Sequence, residues 1–122
     1  MRLAREAAER PSGGLRAETV LTALGQAGLA VGSQIQVLAH TIGARYCVSS
    51  ATASGLALAV CEFSDEAGAE HGLAYSHRVF DRLIPGRTLL RNRSTVMTLT
   101  AGEPNAALLS EARRAVSAFV AL

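Results

Sequence analysis

The sequence predicts an α+β domain, a two-layer sandwich in which about five antiparallel strands carry helices on one face. Three observations predict it. Two apolar segments, 44–52 and 56–63, flank the short loop Ala53-Ser54-Gly55. A loop ending in glycine supplies the φ > 0 position that such hairpins need. Closing it there pairs Thr52 with Leu56, Val48 with Val60 and Cys47 with Cys61, so a cysteine stands opposite a cysteine. Finally, segments of helical period alternate with segments of period two, in the order α-β-β-β-α-β-β-α.

Taken along the chain, residues 1–10 form a short helix with Arg2–Glu6 and Arg5–Glu9 at i,i+4. Pro11-Ser12-Gly13-Gly14 breaks it, so 1–14 is expected to be a tail or linker and 15–122 a single domain. Ala17, Val20, Leu21, Leu24 and Ala27 have helical spacing, and Gly28-Leu29 is a glycine stop with its hydrophobic contact. Residues 34–42 alternate, with Ile35, Val37 and Ala39 on one face. A tight turn at Ile42-Gly43 would then pair Val37 with Val48 and Leu38 with Cys47, and set His40 opposite Arg45.

Ser64 is placed to cap a long helix that is acidic at its start and basic at its end, matching the helix dipole. Its expected inward stripe is Ala69, Leu73, His77, Phe80 and Ile84, ended by Pro85-Gly86. A second hairpin, 87–91 and 94–101, turns at Asn92-Arg93. Pro104 suits the first turn of a last helix whose stripe is Leu109, Ala112, Val116 and Phe119.

Composition narrows the function class. The 122 residues are 49% hydrophobic and 18% charged, enough for an ordinary core without a disulfide. All twelve basic residues are arginine, as in chains from GC-rich genomes, and the net charge of +2 is too small to indicate nucleic acid. Two tyrosines and three phenylalanines give no stacking platform for single strands. No run of about 18 apolar residues predicts a transmembrane helix. The segment after Met1 has no apolar stretch of the signal-peptide kind.

Chemistry is sought first at the cysteines and histidines. A disulfide between Cys47 and Cys61 is the favoured reading, with two free thiols the alternative. His40 with the two cysteines would supply three metal ligands, but no C-x₂₋₄-C or H-x₃₋₅-H knuckle is present, so no metal and no other cofactor is expected. Ser76 and His77 are adjacent on a helix and point about 100° apart, so they make no hydroxyl–imidazole pair. His77 is expected to be a packing residue. Glu62, Glu66 and Glu70 fit helix-start and strand-end solvation better than acid–base work. No catalytic motif is visible, and no enzyme is expected.

Two surfaces are left as binding candidates. Arg78, Arg82, Arg87, Arg91 and Arg93 fall within one segment whose only acid is Asp81, and their convergence would make an anion site. Their alternative role is dipole compensation and edge protection. The other surface is the sheet face opposite the helices, where alternation sends Leu38, Ala59 and Phe63 outward beside both cysteines. A half-apolar sheet face of that kind suits a protein partner or a second copy.

The stretch Gly43-Ala44-Arg45-Tyr46-Cys47, followed by Gly55-Leu56 and Cys61-Glu62-Phe63, resembles small exported bacterial proteins, often lipoprotein-like, of unknown function. That resemblance spans roughly 15–120 and implies a periplasmic or envelope location and a cysteine pair. It brings no catalytic residues. The missing leader and lipobox cysteine depart from it, and without a leader the cytoplasm is the alternative location. The leading expectation is a non-enzymatic envelope domain or accessory subunit that binds a protein through the open sheet face. The alternative is a small-ligand or anion-binding domain built on the arginines.

Overall fold

A computed structural model describes residues 2–84, 86–103 and 105–122. The expectations for Met1, Pro85 and Pro104 lie outside the described residues. The elements are α1 (Arg2–Ala8), α2 (Ala17–Gln26), β1 (Ile35–Val37), a 3₁₀ turn at His40–Ile42, β2 (Tyr46–Ala51), β3 (Ala57–Glu62), α3 (Glu66–Phe80), β4 (Arg87–Asn92), β5 (Thr95–Thr100) and α4 (Ala106–Val120). The strands form one antiparallel sheet in the order β1-β2-β3-β5-β4, so the α+β class and the five-stranded sheet are those the sequence predicts.

Period two divides the sheet into two faces. Val48, Val60, Met97, Leu58 and Leu99 line one, and α2 and α4 bury them with Val20, Leu24, Leu108, Ala115 and Phe119. α2 ends as its sequence requires: Gly28 (φ 95°) donates to Gly25 O and Leu29 to Leu24 O, closing the last turn over a buried Leu29. The helices were expected on one face only, whereas α3 packs on the other. There Cys47, Cys61, Val96 and Phe63 form a second core with Ala39, Ala44, Ala69, Ile42 and Leu73.

The cysteine hairpin has the expected register, with Val48 opposite Val60 and Cys47 opposite Cys61. β1 does not. Val37 lies opposite Cys47 and Gln36 opposite Val48, one residue away from the expected pairing. A 3₁₀ turn replaces the tight turn, because the Glu6 carboxylate accepts the N–H groups of Ala39 (2.9 Å) and His40 (3.0 Å) and draws that backbone out of the ladder. A slip of one flips every side chain, so Val37 and Ile35 join the cysteine face. His40 leaves the sheet altogether and its Nδ1 lies 3.5 Å from Glu6. The second hairpin also turns one residue later than expected, at Arg93-Ser94, with Arg93 in the left-handed region (φ 55°).

Residues 2–14 are not a loose tail. α1 is held through Glu6 and through Gln36, whose amide donates to Leu3 O at 2.7 Å. Arg10 stacks 4.0 Å from the Tyr46 ring and bridges Glu18 and the buried Glu62. Glu62 also accepts the Ala17 N–H at 2.7 Å, tying the start of α2 to the end of β3. A carboxylate expected to be solvated is thus a buried junction, its charge matched by Arg10 and its remaining lone pairs by backbone.

Candidate functional site

The register arranges the cysteine face in rows that cross the whole sheet. Val37, Cys47, Cys61, Val96 and Arg91 make the first; Ile35, Ser49, Ala59, Thr98 and Leu89 the second; Ala51, Ala57, Thr100 and Arg87 the third. Cys47 and Cys61 form a disulfide across the first row, with Cα atoms 4.1 Å apart. Thr52 donates to Leu56 O, which makes Cys47–Cys61 a non-hydrogen-bonded pair of the ladder, where facing side chains come closest. Both sulfurs lie in the core under α3 and the 3₁₀ turn.

α3 starts at Asp65, not Ser64: the Asp65 carboxylate accepts the Gly68 N–H at 2.7 Å. Its buried face is Ala69, Gly72 and Ser76 with Leu73 and Phe80 half-buried, a run of small residues rather than the predicted stripe. Small residues let the helix approach closely. A β-carbon at Gly72 would overlap the Phe63 ring at Cε2 and stand 2.9 Å from Ile42 O. Phe63, expected outward as a partner contact, is therefore buried at 1% exposure beneath α3. His77 is displaced from the buried face to the surface, where its Nδ1 meets the Asp81 carboxylate at 3.0 Å.

Two of the arginines fix this helix. Arg87 donates to Ser76 Oγ (3.1 Å), Ser76 O (2.9 Å) and Asp81 (3.3 Å) beneath the Phe80 ring. Arg91 reaches Glu66 at the other end, 3.3 Å away. Arg87 and Arg91 lie four residues apart on β4, so α3 runs antiparallel to β4, clamped at both ends. The hydrogen bond from His77, backed by Arg87, holds the Asp81 carboxyl below its ordinary range. Arg78 lies 5.6 Å from the Tyr75 ring, and Arg82 is exposed on the turn after the helix. The four arginines do not converge on one point. Ser76 gives its hydroxyl oxygen to Arg87 on the buried side, so Ser76, His77 and Asp81 form no relay.

Because α3 lies along β4 and β5, the β1–β3 part of the second and third rows stays uncovered. Ile35 is 65% exposed, Ala51 and Ala57 are exposed, and Ser49 and Ala59 are half-buried. The slip that brings Ile35 and Val37 to this face turns Leu38, the residue after Val37, away from it, and Leu38 is exposed at 48% outside these rows. Glu66 and Asp81 mark the flank of α3 that faces β4. Gly72, against Ile42, marks the opposite flank, and Val79 follows it at i+7. Val79 is exposed on that flank, beside the open rows, and Leu83 is exposed on the turn after the helix. The result is a shallow shelf, floored by small side chains and bordered by Ile35 and Val79. Of the three expected contacts, Ala59 belongs to it, Phe63 is buried under α3, and Leu38 is turned away from it by the slip of β1.

A hollow of about 450 Å³ lies between α2 and the 29–34 segment and is lined by Leu21, Thr22, Leu29 and Val31 with Glu18. Among the described residues no group of three His, Cys, Asp or Glu side chains is placed to hold a metal ion, and no helix is long and apolar enough to cross a membrane. Compared with protein-family models, with curated proteins and with solved structures, the chain matches none.

Proposed function

We propose that this chain is a non-enzymatic envelope domain or accessory subunit that binds a protein partner through the shelf on the cysteine face. The observation that carries the reading is an uncovered floor of alanine and serine, Ser49, Ala51, Ala57 and Ala59, with exposed Ile35 on one side and exposed Val79 on the other. A flat apolar surface with a polar surround suits another protein surface better than a small molecule, which needs a concave site. The disulfide supports an oxidising compartment. The arginine cluster supports the anion alternative less well, since Arg87 and Arg91 are already committed to α3.

Site-specific photo-cross-linking tests this reading. A photoreactive residue at position 35 is expected to capture one discrete partner band in envelope extract, and the same residue at position 113, on the exposed back of α4, is expected not to. Equal labelling from both positions would remove the shelf from consideration.

A further inference from the structure

The sheet ends in β4, and among the described residues nothing pairs with its outer edge. The ladder dictates which backbone groups face outward. Ala101 donates to Gly86 O, so Gly86–Ala101 is a hydrogen-bonded pair. Alternation then makes Thr88–Leu99, Leu90–Met97 and Asn92–Thr95 bonded pairs too. The other side of β5 agrees, since Phe63 donates to Ser94 O and so commits Ser94, Val96, Thr98 and Thr100 to β3. Arg87, Leu89 and Arg91 therefore direct their N–H and C=O groups away from the sheet.

Edge strands are ordinarily blunted by charged side chains that stand off the edge. Here the two arginines turn onto α3 instead, and the Arg87 side chain is only 8% exposed. A second apolar element runs beside this unblocked edge. α4 buries Leu108, Glu111, Ala115 and Phe119, which leaves Leu109, Ala112, Val116 and Val120 as a stripe on its flank. Leu109 and Ala112 line one hollow of about 260 Å³ with Gly86 and Thr88. At the other end, Asn92 donates to Phe119 O at 2.8 Å. α4 thus runs parallel to β4 with its stripe on the open side, where Leu109 is 45% and Val120 64% exposed.

We propose that this edge is a homodimer contact, in which β4 pairs antiparallel with β4 of a second copy about a two-fold axis at Leu89, joining the two sheets into one. The self-complementarity of the edge selects a second copy as the occupant. A two-fold normal to the sheet keeps each face on its own side, so opposed residues must share a face. Leu89 then meets Leu89, and Arg87 meets Arg91, which are the three residues with outward backbone groups. The same rotation sets the two α4 helices antiparallel, with Leu109 towards the second copy's Val120 and Ala112 towards its Val116. Each arginine brings its own acid to the seam, Asp81 with Arg87 and Glu66 with Arg91, so the charges balance. This contact lies on a different side of the molecule from the shelf.

Sedimentation equilibrium at about 100 μM tests it, a concentration that populates even a moderately weak dimer. The wild-type chain is expected at twice the chain mass. Leu89→Pro removes an outward N–H that plays no part in the β4–β5 ladder, and Val120→Asp charges the exposed end of the α4 stripe. Both variants are expected at one chain mass with unchanged far-ultraviolet circular dichroism. A wild-type monomer, or a dimer that survives in either folded variant, overturns the proposal. Should Leu89→Pro fail to fold, Val120→Asp decides alone: a monomer supports the contact and a dimer overturns it.

Discussion

Gly72 has no room for a side chain, and this single position sets how closely α3 lies on the cysteine face. Phe63 and the Ile42 carbonyl occupy the space a β-carbon would need, and the carbonyl is backbone that cannot swing aside. Gly72→Ala gains helix propensity, worth about 1 kcal/mol, but forces overpacking that costs about 1–3 kcal/mol. A net loss of stability by chemical denaturation is expected; a stabilised variant would show that the helix rides higher than described. Glu18 gives a second residue-scale prediction. Arg10 holds its carboxyl down at about 2, from an ordinary value of 4.5. A group whose folded pKa is depressed contributes stability that is complete above the unfolded value and is lost as pH falls through the folded one. Glu18→Gln should therefore remove part of the acid-side loss of stability between about pH 4.5 and pH 2. The effect is small because the side chain is half exposed. An identical acid limb in both proteins would show that the Arg10–Glu18 contact does not persist in solution. These residues also mark the limit of what the chain reveals by itself. The partners of Glu62 and Glu111 lie 45 to 59 residues away, and no local period announces such a carboxylate. Glu111 accepts from Thr52 and Ser54 and pins the hairpin loop to α4, although by spacing alone it is one more helix glutamate.

Among the elements, the β2–β3 hairpin was the most legible, because loop length and alternation fix its register without help from elsewhere. The disulfide belongs to this scale. Its loop holds 15 residues counting both ends, from a separation of 14, for which loop entropy gives up to about 3 kcal/mol. The double variant Cys47→Ala, Cys61→Ala should lose less than that, because the ladder on either side already constrains the chain. Mass spectrometry should find both thiols alkylated only after reduction in protein made in an oxidising compartment. Alkylation without reductant would contradict the bridge. α3 and β1 were less legible for one shared reason, that each is positioned by another element. The apolar residues of α3 suggested a face through His77, but close packing selected the small face through Gly72 and Ser76. β1 slipped by one because Glu6, from a segment that looked like a tail, captured the backbone after it.

At the scale of the molecule, the order of elements and the antiparallel sheet follow from period alone, whereas the sharing of helices between the two faces does not. Period says that α3 has a buried side; only the positions of Arg87 and Arg91 say which face of the sheet receives it. That choice also reshapes the candidate site, since α3 covers Phe63 and both cysteines and leaves Ala51, Ala57 and the half-buried Ala59 without a helix over them. The arginines expected to gather an anion become the clamps of the helix that frames the shelf. The most direct measurement is the affinity of the captured partner for Ile35→Asp beside Arg82→Ala, each first checked for an unchanged fold. A charge among buried interface anchors costs well over 1 kcal/mol, so Ile35→Asp should weaken the complex about tenfold or more, while Arg82→Ala leaves it within about twofold at physiological salt. The reverse ranking would contradict the shelf and point to the exposed arginines instead.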